Sequence, residues 1–148
     1  MSNYRILQMT NTDIGAVAVN ELMPFGIITR RINKNICTDV STFSISSTGT
    51  NILTVNECGN YTVTYSASVV ASAAGIVTMN LLVNGTNVYS VSETAASGDT
   101  INLTLPYQIR VLPNSCSTPN NNPVNIQVQL TGVGITDGNS NIIVERVY

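Results

Sequence analysis

From Tyr61 to Val69 the chain alternates strictly, with Tyr, Val, Tyr, Ala and Val at odd positions and Thr, Thr, Ser and Ser at even ones. Successive side chains of an extended strand point to opposite faces, so this code buries one face and wets the other only in a β-strand. The same period returns at Val77, Met79, Leu81 and Val83, at Ile101, Leu103 and Leu105, and at Val124, Ile126, Val128 and Leu130. Residues 142–148 read as a closing strand, and residues 16–19, 25–30, 42–45 and 52–55 as shorter ones. No segment sustains a period of 3.6, so the chain is expected to be all-β.

Turn chemistry separates the runs. Asn84-Gly85 is a strong hairpin signal, because both positions of the tight turn want positive φ. Gly49, Gly59, Gly75, Gly98, Gly134 and Gly138 fall between the other runs, and residues 136–141 read as a connecting loop. Pro113, Pro119 and Pro123 bracket an Asn-rich loop, residues 114–122, expected on the surface. Pro106 interrupts the long run 101–112, which marks a bend or an edge strand. Eight to ten short strands between such turns predict a β-sandwich or jelly roll. At 148 residues the chain has the length of one domain.

Composition narrows the function. Only 14 side chains are charged, 6 basic and 8 acidic, and there is no His. Mechanisms that need an imidazole base or metal ligand are therefore excluded. Six scattered cations, Lys34 and five Arg, do not form a phosphate track, so nucleic acid is not an expected partner. The hydroxyls have neither His nor a well-placed Lys to activate them, and no two carboxylates fall in a recognisable setting, so no catalytic residue is assigned. Asp99 and Asp137 sit in Gly-containing turns and read as turn residues rather than calcium ligands; no cofactor and no metal are expected. Cys37, Cys58 and Cys116 form no CxxC pair and read as free thiols, a Cys37–Cys58 bridge being the alternative if those strand ends meet. The sequons at Asn60, Asn84 and Asn102 are what chance gives in so Asn- and Thr-rich a chain.

The start of the chain carries no signal-peptide pattern, and no apolar run reaches the ~18 residues of a membrane helix. The protein is expected to be made in the cytosol and to have no membrane partner. Asn, Thr and Ser number 19, 18 and 14, and they fill the polar faces of the strands where Lys and Glu would be usual. Such faces have high β propensity and little charge to block edge pairing, which points to a closed assembly that uses the surface.

Particular residues then resemble a known family. Glu57-Cys58-Gly59-Asn60-Tyr61, continuing as the alternating strand, is similar to the Gly-x-Tyr strand of the tumour-necrosis-factor and complement globular-head superfamily. Residues 52–55 precede it as that family's short strand does, Leu81-Leu82-Val83-Asn84-Gly85 resembles its hairpin, residues 100–112 its next long strand, and residues 141–147 its final one. The resemblance covers residues 24–147 and implies a ten-stranded jelly-roll sandwich assembled as a homotrimer. It makes Tyr61, Val63, Tyr65, Ile142, Val144 and Tyr148 candidates for the trimer interface. With no collagen-like tract, anchor or secretion signal, it points to the bacteriophage type of member. The expected role is a non-enzymatic virion component, a head fibre or capsid decoration, with host-surface adhesion as an added task. The alternative is a glycan- or receptor-binding tip of a bacterial surface or spore filament. The expected partners are further copies of the chain, a capsid or other virion protein, and a host-surface glycan contacted by the Asn-rich loop, Tyr89 and Tyr107. Residues 1–20 are read as a particle-docking segment or a first strand, with Tyr4, Arg5, Ile6, Leu7 and Met9 as docking candidates, and residues 21–148 as the jelly roll.

Overall fold

A computed structural model describes residues 4–32, 41–112 and 123–147. Lys34, Cys37, Cys116, the Asn-rich loop and Tyr148 lie outside the described residues. Ten strands follow in order: β1 (Ile6–Asn11), β2 (Ile27–Ile32), β3 (Phe43–Ile45), β4 (Leu53–Val55), β5 (Gly59–Ala71), β6 (Gly75–Val83), β7 (Thr86–Ala95), β8 (Thr100–Val111), β9 (Val124–Gly132) and β10 (Ile135–Arg146). They form two five-stranded sheets, β2-β1-β10-β5-β8 and β3-β4-β9-β6-β7. Every neighbouring pair is antiparallel. The architecture is that of a jelly-roll sandwich.

The alternating code builds the core. In β5, Tyr61, Val63, Tyr65, Ala67, Val69 and Ala71 face the second sheet, each at most 5% exposed. In the second sheet Val77, Met79 and Leu81 of β6 and Val124, Ile126, Val128 and Leu130 of β9 answer them. Phe25 meets Tyr65 and Phe43 meets Tyr61 edge to face, each with ring centroids 6.0 Å apart, the geometry aromatic quadrupoles prefer.

Two features depart from the sequence reading. Residues 136–141, read as a loop, lie inside β10. Their apolar signal is missing because the strand's inward positions there are Ser140 and Gly138, the latter packed so closely on Ser68 and Val69 of β5 that a Cβ would clash. Residues 16–19, read as a strand, contribute only the isolated bridge Val17–Ile135.

The segment after β1 stitches the sheets together. Ile14 and Val17 donate backbone hydrogen bonds to Gly138 and Ile135 of β10; Asn20 and Met23 donate to Leu130 and Val128 of β9. Residues 6–23 are thus hydrogen-bonded to strands of both sheets, and β1 is the first strand of the sandwich.

Candidate functional site

The outer face of the sheet β2-β1-β10-β5-β8 is where the even-numbered positions of β5 emerge. Register fixes it as cross-strand rows: Gln8–Ile143–Thr64–Pro106, Thr10–Asn141–Ser66–Thr104, and Asn139–Ser68–Asn102. A row nearer the chain termini runs Ile6–Glu145–Thr62–Gln108. Three residues, Asp137, Glu145 and, beside Asn60, Arg110, bring charge to the outward positions of β1, β10, β5 and β8. A groove of about 420 Å³ crosses the face, lined by Thr10, Thr12, Ser66, Ser68, Asn102 and Asn141 among others. Gln8 Nε2 and Thr10 Oγ1 donate to Asn141 Oδ1 at 2.9 and 3.4 Å, which fixes the amide at its centre. The face offers hydroxyl and amide groups to a partner with little charge to desolvate.

The residues named above as interface candidates lie on the other side of this sheet. Tyr61, Val63, Tyr65, Ile142 and Val144 are 0–1% exposed within a single chain, packed against the second sheet. They are core residues, and a neighbouring copy cannot reach their side chains without opening the sandwich. The residues that can meet a neighbour are the alternate set, Thr62, Thr64, Ser66, Asn141 and Ile143. Tyr148 falls outside the described residues.

The docking candidates are likewise committed internally. Leu7 and Met9 are 1% exposed in the core, and Ile6 is 4% exposed on the opposite face of β1. Tyr4 is half-buried beneath Arg30, whose guanidinium lies 6.0 Å from the ring centroid. Arg5, 4% exposed, donates from Nε to Glu57 Oε2 at 3.0 Å.

Arg5 belongs to a polar cluster that the sequence did not announce. Glu57 Oε1 accepts from Arg146 Nη1 at 2.8 Å, and Thr42 Oγ1 donates to Oε2 at 2.6 Å. Tyr61 OH donates to the Glu57 carbonyl at 2.8 Å. One carboxylate between β4 and β5 therefore binds a residue just before the first strand and the last residue of β10. Burial is the main reason the Tyr61 phenol is raised far above its ordinary value, with the Glu57 carboxylate adding to it. Burial likewise raises the Tyr65 phenol, against a smaller opposing effect of Ser140. The Tyr65 and Ser140 hydroxyls are both buried without a well-formed hydrogen bond.

The remaining carboxylates that drew attention cap backbone amides. Asp99 Oδ2 accepts from Ala96 N at 2.9 Å. Asp137 Oδ1 accepts from Gly138 N at 2.7 Å and Gly15 N at 3.3 Å, bonds that hold its acid below the usual carboxylate range. Cys58 is a half-buried free thiol. Among the described residues no three His, Cys, Asp or Glu gather to hold a metal ion, and no helix is long and apolar enough to cross a membrane.

No protein-family model matches the chain, and no curated protein matches it in sequence. Solved structures do match. The PRD1 vertex protein P5 superposes with a TM-score of 0.59 at 13% identity, over 97% of this chain and 97% of that one. The correspondence is one of fold across essentially the whole length of both chains. A dimeric latent PorU from Porphyromonas gingivalis aligns with 99% of this chain and 13% of that one, at 12% identity and a TM-score of 0.39, too low to establish a common fold.

Proposed function

We propose that the protein is a non-enzymatic structural component of a bacteriophage particle, a homotrimeric head fibre or capsid decoration. The observation that carries this reading is the end-to-end correspondence of fold with a phage vertex protein. The trimer is of the tumour-necrosis-factor-like type and uses the outer face of β1, β10, β5 and β8. A nearly charge-free face of Thr, Ser and Asn loses little on burial if its hydroxyls and amides find partners across the interface. The absence of His and the amide-capping roles of Asp99 and Asp137 support a role without catalysis.

Native mass spectrometry at micromolar concentration tests the assembly: three times the 15.8 kDa chain mass is expected, and a stable monomer overturns the trimer. Proteomics of purified particles from the source phage tests the location, and absence of the chain from them overturns the virion reading. A second task, adhesion to a host-surface glycan, is favoured by Tyr89 and Tyr107. Both are partly exposed, on the edge strands β7 and β8. A glycan array probed with the assembled protein tests it, and a blank array removes it.

A further inference from the structure

The four sheet edges are not alike. β3 spans only three residues. β8 has Pro106 at its middle, which removes a ladder donor. β7 is polar, with Val88 and Val91 turned onto the core. Short length and proline are ways a natural edge avoids accepting another strand, and charge is a third, which on β2 takes the form of two arginines that repel a basic or like strand but not an acidic one. β2 differs. All six of its residues are exposed, including Ile27 at 70%, Ile28 and Ile32. Among the described residues it pairs with β1 on one side only and bounds its sheet. It also carries Arg30 and Arg31, two of the chain's six cations, while β1 beside it has no acid.

We infer that the free edge of β2 accepts an extended, acidic strand of a second protein as a sixth strand of the sheet. Backbone groups over about 20 Å supply the ladder, the isoleucines supply apolar contact, and the arginines select the partner's charge. Both guanidiniums are pre-positioned: Arg30 over the Tyr4 ring, and Arg31 with Nη2 donating to the Phe43 carbonyl at 2.9 Å. Adjacent strand residues face opposite sides, so an acid at each of two adjacent partner positions meets both. No segment of this chain can do so, since its nearest acids, Glu93 and Asp99, are six positions apart. Two β2 strands paired with each other would bring like charges together, which is destabilising. The partner is therefore a different chain, and the inference stands independently of the trimer and of the particle.

The probe is a fluorescein-labelled peptide of about eight residues, Val and Thr alternating around a central Glu-Glu pair. Fluorescence anisotropy at low ionic strength compares it with Gln-Gln and Lys-Lys counterparts. The Glu-Glu peptide is expected to bind about tenfold tighter than Gln-Gln, a preference that Arg30→Glu removes and that Arg30→Glu with Arg31→Glu reverses towards Lys-Lys. Hydrogen exchange is expected to slow at the amides of residues 27–32 on binding. If the double variant fails to fold for want of the Phe43 contact, Arg30→Glu and the exchange map decide. Equal affinity for Glu-Glu and Gln-Gln, no binding, or protection elsewhere overturns the inference.

Discussion

Tyr61 and Tyr65 occupy equivalent inward positions four residues apart on β5, yet their hydroxyls differ in kind. Tyr61 OH satisfies the Glu57 carbonyl, while Tyr65 OH is buried without a good partner. Removing a made hydrogen bond costs about 1 kcal/mol, whereas removing an unmade one is near neutral. Chemical denaturation at pH 7 is thus expected to show Tyr61→Phe destabilised by about 1 kcal/mol and Tyr65→Phe unchanged or slightly more stable. Both phenols ionise only well above their ordinary range in the folded chain, while unfolded tyrosines ionise near 10. The native state therefore keeps protons that the unfolded state releases, so stability falls as pH rises above about 10. Urea midpoints between pH 9 and 11 check this, and the Tyr61→Phe, Tyr65→Phe double variant should flatten the decline. Glu57 shows how far a single side chain reaches: Glu57→Gln leaves two arginines beside a neutral amide, at a cost of about 3 kcal/mol by thermal or urea unfolding. The sequence placed Glu57 in the family-like Gly-x-Tyr region but not its partners, because Arg5 and Arg146 lie 52 and 89 positions away.

At the scale of elements, the strands whose inward positions are all apolar were legible. β5, β6, β8 and β9 follow the alternating code, and of the two readings of Pro106, a bend or an edge strand, β8 shows the edge. The first half of β10 was not legible, since its inward positions are Gly138, where close packing against β5 leaves no room for a side chain, and the polar Ser140. The β9–β10 corner has a comparable constraint. Gly132 holds φ +85°, and a Cβ there would collide with the Ile76 carbonyl oxygen. Gly132→Ala is expected to lower stability by at least about 2 kcal/mol, read from the urea midpoint. The Asn84-Gly85 turn is different, because Gly85 meets nothing within 4 Å. Gly85→Ala there carries only the cost of positive φ, about 1 kcal/mol.

For the molecule as a whole, the two sheets share one core, and the segment from Ile14 to Met23 ties β10 of one sheet to β9 of the other. Leu7→Ala is expected to cost about 2–5 kcal/mol in global stability rather than to free a docking arm, because Leu7 is part of that core. If the outer face of β1, β10, β5 and β8 mediates assembly, Ser66→Arg should convert the oligomer to monomer in light scattering while leaving the single-chain fold intact, since Ser66 faces outward. The sequence by itself determined that the chain is all-β, which runs form the long strands, and that histidine chemistry is excluded. These follow from local rules: side-chain alternation, turn residues and composition. Only the tertiary structure decided which face of each strand is core and which is free. A period of two separates the faces without saying which one meets the second sheet and which one a partner, so the tyrosines and valines of β5 fitted either role. Likewise, only folding brings Arg5, Glu57 and Arg146 together and leaves the arginines of β2 on an open edge, because these placements depend on contacts between distant parts of the chain.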